Sequence, residues 1–382
     1  MNYILGGFIF SFLISKMILP HILIISHKKN LYDIPDERKH HKSPVPRLGG
    51  FLFFPVILIT ILSCIVYSSL TGVSNVFISN DELHTQFCAL SIGGMCLFLV
   101  GVKDDLIGVD YKSKFVAQIF SAGLLALSGL WINSLGGISF FQDIPIWIGF
   151  PFSVFLCVYI TNAINLIDGI DGLASGLAII SLITMGILFV VGNQMMYAML
   201  AFSSVGCILP FFWTNVRRSA ESRKKLFMGD TGSLSLGYLI SFLFLSLSIN
   251  SSSFNPIESR FQYIAFGSLI IPTFDVVRVV LLRLRQGKAP FLPDRNHIHH
   301  KLLRAGMSGT QVMLFLLAFS FFFIICNYVL TAYIYGYIVF LVDLGIWLLF
   351  HGVLNIIIHK RIQEKSGIST KISFGLILSK LL

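Results

Sequence analysis

Apolar residues along this chain neither alternate at a strand period nor keep to one helical face. They come in nearly unbroken runs, near residues 3–25, 49–69, 87–102, 115–132, 145–161, 173–191, 195–213, 233–249, 262–282, 312–332 and 335–356. A hydrocarbon core of about 30 Å takes roughly 20 apolar residues as one helix. Each run is therefore expected to be a membrane-crossing helix, which makes the chain an all-α polytopic membrane protein with about 10–11 spans. The fifth run is the weakest, because it leads straight into the polar stretch NAINLIDGIDGLASG (162–176). Residues 1–15 hold no Lys or Arg and no small-residue cleavage site follows, so the first run is expected to be a retained helix.

Composition agrees with the pattern. Of the 382 residues 55% are hydrophobic and 12% charged, and the mean hydropathy is +0.82. A soluble domain carries about 25% charged residues. If the N-terminus lies outside and the spans alternate, all of the 28 Lys and Arg except Lys16, Arg260 and Arg278 fall in inside segments. That is a strong positive-inside bias. It accounts for the net charge of +10 through orientation and lipid headgroups, without nucleic acid as a partner. No internal repeat or low-complexity tract is present. One membrane domain over 1–382 is expected, with a core to about 356 and a cytoplasmic tail over 357–382 that suits a position along the inner surface. The six cysteines lack metal-ligand spacing and read as small packing residues.

Polar motifs gather on the same expected side. They are DIPDERKHHKSPVPRLGG (33–50), GVKDDLIGVDYKSK (101–114), the 162–176 stretch, FMGDTGSLSLG (227–237) and PDRNHIHHKLL (293–303). Asp104 and Asp105 point about 100° apart on a helix, so one can contact a reacting group while the other contacts a cation or a lysine. Asn162, Asn165, Asp168 and Asp171 fall three apart, with Gly169 and Gly172 interrupting a continuous helix. Such oxygens suit a hard cation, and Mg²⁺ usually takes only one or two from protein. Asp230 stands just before the eighth run, where Thr231, Ser233 or Asp230 itself can cap the helix and the helix start can receive an anion. His297, His299 and His300 lack a Cys companion and do not share one helical face, which disfavours zinc. With Asp294, Arg295 and Lys301 they suit phosphate or nucleotide instead. Arg47, in the first motif, joins the substrate-binding candidates. Carboxylates for a divalent cation, cationic donors and a lipid-facing scaffold together suit phosphoryl transfer with one lipid partner. No P-loop pattern is present, which argues against an ATPase.

In order and type, the five motifs resemble those of the polyprenyl-phosphate N-acetylhexosamine-1-phosphate transferases (glycosyltransferase family 4), in particular the WecA/TagO-like branch, from about residue 33 to residue 303. The resemblance implies a cytoplasmic-face enzyme of ten or eleven helices that moves a sugar 1-phosphate from a UDP-N-acetylhexosamine to undecaprenyl phosphate and releases UMP. GlcNAc 1-phosphate is the default group. It implies dependence on Mg²⁺, with Mn²⁺ as a substitute, and leaves room for a homodimer. Residue by residue, it implies catalytic roles for Asp104 and Asp105 and metal binding at Asp230 with Asn165. Substrate binding falls to Lys114, Asn162, Asp168, Asp171, Asp294, Arg295, His297, His299, His300 and Arg47. PTFDVVRVVLLR (272–283) resembles a family helix in which Asp275 and Arg278 can pair across one turn. An MraY-type phospho-MurNAc-pentapeptide transferase is the near alternative, disfavoured by the HIHH form. A non-catalytic lipid or ion transporter is the alternative from another class, disfavoured because the polar residues sit at one face without a repeat.

Overall fold

A computed structural model describes residues 2–33, 45–71, 81–134, 144–217, 225–250, 260–289 and 296–366. The long helices are α1 (Asn2–Lys28), α2 (Phe53–Leu70), α3 (Asp81–Ile107), α4 (Tyr111–Leu127), α5 (Ile146–Ile167), α6 (Leu173–Val191), α7 (Met195–Arg217), α8 (Gly229–Asn250), α9 (Phe261–Arg285), α11 (Gly309–Leu330) and α12 (Gly336–Ser366), with a short α10 (Ile298–Arg304) between α9 and α11. Strand is confined, among the described residues, to an antiparallel pair of two-residue segments, β1 (Tyr32–Asp33) and β2 (Val45–Pro46). A 3-10 turn at Leu48–Leu52 leads into α2.

Every expected run forms a helix, and among the described residues ten helical segments are long and apolar enough to cross a bilayer. Only α4 falls short, at 17 residues. Several boundaries differ from the apolar runs, and three C-terminal extensions share one reason. The backbone continues its hydrogen-bond ladder beyond the last apolar residue when polar side chains find partners. Thus α3 extends through Asp104 and Asp105, α5 extends past 161 to carry Asn162 and Asn165, and α12 runs to Ser366 rather than ending near 356.

Helix α8 is the axis. It is the most buried span, and it packs against α3 and α5 and also touches α2, α6 and α9. Its small residues Gly237 and Ser241 let α5 approach: Ser241 Oγ donates to the Cys157 carbonyl at 3.2 Å, and a Cβ on Gly237 would meet Thr161 backbone at 2.7 Å. Small residues at helix contacts are the means by which spans pack where lipid removes the hydrophobic drive. Outer helices α1, α11 and α12 instead leave Leu5, Met17, Phe321, Leu349 and similar side chains exposed, as a lipid-facing surface requires. The cysteines are all free: Cys157 and Cys207 are packed in the core, whereas Cys88 is exposed.

Neighbouring helices run up and down, so one end of the bundle collects the C-termini of α3, α5, α7 and α9 and the N-termini of α4, α6 and α8. All the described polar motifs meet at that end.

Candidate active site

The site is built on the first turn of α8. A helix start leaves its first backbone N–H groups without intrahelical partners. Here the carboxylate of Asp105 on α3 takes them: Oδ1 accepts from Asp230 N–H at 2.8 Å, and Oδ2 from Thr231 N–H at 3.0 Å and Thr231 Oγ1 at 2.6 Å. The cap therefore comes from another helix, not from Thr231, Ser233 or Asp230. The turn preceding it is glycine by necessity. Gly229 has φ +70°, and a Cβ there would lie 2.4 Å from the Arg47 carbonyl and 2.5 Å from Asp105 Oδ2. Arg47 thus stands beside this turn. Its segment is stitched on by Phe227 N–H to the Pro46 carbonyl, Gly49 N–H to the Phe227 carbonyl and Gly50 N–H to the Met228 carbonyl, each at 2.8 Å.

Asp104, one residue back, faces a different way. Its Oδ1 accepts from Val109 N–H at 2.6 Å, which closes the α3–α4 turn, and its Oδ2 pairs with Lys114 Nζ at 2.7 Å. The same ammonium reaches Asp230 Oδ2 at 2.5 Å. Lys114 therefore bridges two carboxylates from α3 and α8. Asn165 completes the group: its Nδ2 donates to Asp230 Oδ1 and to Ser233 Oγ, both at 2.8 Å. The Asp104 and Asp230 side chains remain partly open to solvent, at 15% and 28%. Asn162, three residues before Asn165, does not join them. It exchanges hydrogen bonds with Gln118 of α4, at 2.6 and 3.3 Å, and ties α5 to α4.

The 168–172 loop follows α5. Asp168 is its first residue and is exposed; Asp171 pairs with Lys225 at 2.5 Å. The loop is held again where Gly172, at φ +76°, donates its N–H to Asn215 Oδ1 at 2.6 Å, while Asn215 Nδ2 donates to the Leu226 carbonyl at 2.8 Å. Asp168 is exposed, with the bulk of the protein on one side and three carboxylates nearby. Desolvation first, and then the charges of Asp230, Asp171 and Asp105, push its carboxyl up to about 8. The site thus gathers the carboxylates of Asp104, Asp105, Asp168, Asp171 and Asp230 against the ammonium groups of Lys114 and Lys225.

The histidine segment closes one side. His297 precedes α10 and its Nδ1 lies 2.8 Å from Asp275 Oδ2. The His297 and His299 rings are parallel, 5.9 Å apart, and the His299 and His300 centroids are 4.2 Å apart. His299 packs onto Gly169, where a Cβ would come within 2.3 Å of its Nε2. The expected Asp275–Arg278 pair is present at 2.8 Å. Asp294 and Arg295 lie outside the described residues.

Among the described residues no cage of three or more His, Cys, Asp or Glu ligands is preformed. Mg²⁺ does not need one, because it keeps water and substrate phosphates and takes one or two carboxylates. The donor set fits it: hard oxygens only, a carboxylate surplus, and Asp230 held in place through both oxygens while still reached by solvent. Sequence reasoning had not singled out Lys225, Asn215 or Gln118. Lys225 was hidden in a basic run that reads as an orientation signal. Gln118, a polar residue four after Lys114 in an apolar run, gave a signal that was there to be read.

The profile of glycosyl transferase family 4 matches residues 87–248, the stretch from α3 to α8 that carries this carboxylate group. A "Probable undecaprenyl-phosphate N-acetylglucosaminyl 1-phosphate transferase" of Bacillus subtilis is 31% identical over 337 residues, covering 86% of this chain and 85% of the relative. This chain belongs to glycosyl transferase family 4. Two further relatives bear the name undecaprenyl-phosphate alpha-N-acetylglucosaminyl 1-phosphate transferase. That of Yersinia pestis is 31% identical over 79% of this chain and 78% of its own length. That of Escherichia coli K12 is 30% identical over 78% and 76%. With ten apolar spans and bacterial relatives, this family 4 member is a multi-pass protein of the bacterial inner membrane.

Proposed function

We propose that this chain transfers N-acetylglucosamine 1-phosphate from UDP-N-acetylglucosamine to undecaprenyl phosphate, releasing UMP, with the carboxylate end of the bundle at the cytoplasmic face. The product, a lipid diphosphate sugar, is the starting unit of a cell-surface polysaccharide. The relatives' names support the lipid and the transferred group. The positive-inside bias supports the orientation. The observation that carries the chemistry is the single ammonium of Lys114 shared between Asp104 and Asp230 at one end of a membrane bundle.

In this reading a phosphate oxygen of the lipid attacks the β-phosphorus of the UDP-sugar. A P–O bond forms there, the bond to the bridging oxygen breaks, and UMP leaves with the electron pair. A phosphomonoester with second pKa near 6 is mostly dianionic at neutral pH, so no strong base is needed. Asp104, open to solvent and not used as a helix cap, is the member of the pair that orients the lipid phosphate or accepts its residual proton. Asp105 keeps Asp230 and the α8 start in place. Lys114, released from one carboxylate as substrate enters, donates to phosphate oxygens as charge builds on them. Asp230, with Asn165 beside it, would hold Mg²⁺, which would supply charge neutralisation on the diphosphate. Arg47 flanks the site as a hydrogen-bond donor to phosphate, and the His297–His300 segment as a hydrogen-bonding partner of the nucleotide.

A panel of UDP-N-acetylhexosamines, offered to purified protein with undecaprenyl phosphate and Mg²⁺, tests the assignment. Mass spectrometry of the lipid product should show one added N-acetylhexosamine phosphate, formed best from UDP-N-acetylglucosamine and abolished by EDTA. With UDP-MurNAc-pentapeptide offered in parallel, a lipid product carrying the muramoyl-pentapeptide group would favour the near alternative instead.

A further inference from the structure

Asp275 lies well inside α9 and is fully buried. A buried carboxylate in a membrane span is costly unless paired, and it is a functional signal by default. Its partners all belong to one task. Oδ1 accepts from Arg278 Nη2 at 2.8 Å and from Ile298 N–H at 2.9 Å, and Oδ2 faces His297 Nδ1 at 2.8 Å. Arg278 in turn donates to the Asn296 carbonyl. Three successive residues, Asn296 to Ile298, are thus fastened to one Asp–Arg pair. The helix they begin, α10, has only seven residues, too few to hold its own shape. The chain of contacts continues from His297 to the parallel ring of His299, and from there onto Gly169 in the loop that bears Asp168 and Asp171.

We infer that Asp275 is a positioning residue for the reaction: it holds the His297 imidazole through Nδ1, leaving Nε2 to accept a hydrogen bond from a substrate hydroxyl or N–H, and seats the histidine segment against the 168–172 loop. A fold-stabilising ion pair would be satisfied by Arg278 alone. The bond to His297 Nδ1 additionally fixes the ring's tautomer, because a carboxylate there requires N–H on that nitrogen. The inference rests on the proposed transferase reading for its activity arm only.

Two measurements test it. In the first, D275N keeps an acceptor for Ile298 N–H and Arg278 but presents an amide NH₂ to His297. Turnover should fall about 10- to 100-fold, as when a group orienting a functional imidazole is removed. In an H297A background the same change should cost less than about 2-fold, because both act through one ring. H297N, which retains a donor at the Nδ1 position, should be as stable as the parent yet remain slow. In the second, ¹⁵N-histidine NMR of the whole protein in detergent, with H297A giving the assignment, should show His297 protonated at Nδ1. Unchanged turnover in D275N, multiplying losses in the double variant, or full activity in H297N would overturn the inference. So would a wild-type His297 protonated at Nε2 alone, a result that stands even if D275N does not fold. Nδ1 protonation in a wild-type protein that releases no UMP would instead sink the transferase reading and leave the positioning intact.

Discussion

The backbone N–H of Asp230 donates to the carboxylate of Asp105 at 2.8 Å, so one aspartate of an adjacent pair holds the site's floor while its neighbour Asp104 opens into it. Adjacent helix positions point about 100° apart, and this pair uses that angle to divide structural from chemical work.

The two aspartates should therefore fail differently. D105A strands the Asp230 and Thr231 N–H groups and should cost about 1–3 kcal/mol of stability, visible as a lower unfolding midpoint in detergent, together with lost activity. D104N should unfold within a few degrees of the parent but lose turnover about 100-fold or more. Thermal unfolding and initial rates, measured on the same preparations, separate the two. Equal destabilisation by both changes would contradict this division.

Gly229 is expected to be irreplaceable. Alanine there suffers the left-handed backbone, about 1–2 kcal/mol, and its Cβ would strike the Arg47 carbonyl and Asp105 within 2.5 Å. G229A should lower both the unfolding midpoint and turnover, because Asp230 is the next residue. A G229A protein with parental midpoint and rate would show that the turn is not as tight as described.

Lys225 is buried apart from its contact with Asp171, which is 39% exposed. Because Asp171 stays solvated when its partner is removed and methionine fills the buried stem's place, the change should cost little stability, about 1 kcal/mol or less. The larger effect expected of K225M is on substrate, through a loosened 168–172 loop. KM for the UDP-sugar should rise several-fold with a smaller change in kcat. An unchanged KM would place that loop away from the donor.

Asp168 gives the site a pH signature. Its folded pKa is raised to about 8 against an unfolded value near 3.8, so the native state binds the proton more tightly. Stability from this group is full below about pH 4 and is lost as pH rises towards 8. Metal-free protein should therefore show a falling unfolding midpoint between pH 6 and pH 8, less so in D168N. Mg²⁺ bound at Asp230 would relieve the carboxylate surplus that Asp168 joins when it ionises, so its stabilising shift should be larger at pH 8 than at pH 6. A Mg²⁺ shift independent of pH, or unaltered by D168N, would show that Asp168 lies outside the cation's influence.

The helices were legible because lipid imposes long apolar runs that packing cannot disguise, and the side-chain types at the site were legible because polar residues beside hydrocarbon need a reason. Partnerships were not. Asn162 and Asn165 share a spacing and nearly a face, yet one binds Gln118 and the other Asp230, a choice made by which helix lies opposite. Nor does spacing tell that Asp105 caps a helix 125 residues later. Lys225 was unreadable for another reason: basic residues near span ends serve orientation regardless of contact, so the one with a specific partner looks like its neighbours.

Metal-assisted phosphoryl transfer at the Asp104–Lys114–Asp230 group has UMP release as its immediate readout. Purified protein with UDP-N-acetylglucosamine should release UMP only when undecaprenyl phosphate and Mg²⁺ are both present, and D104N of parental stability should release it at least about 100-fold more slowly. Release that is indifferent to lipid, or a D104N protein as fast as the parent, would contradict the account.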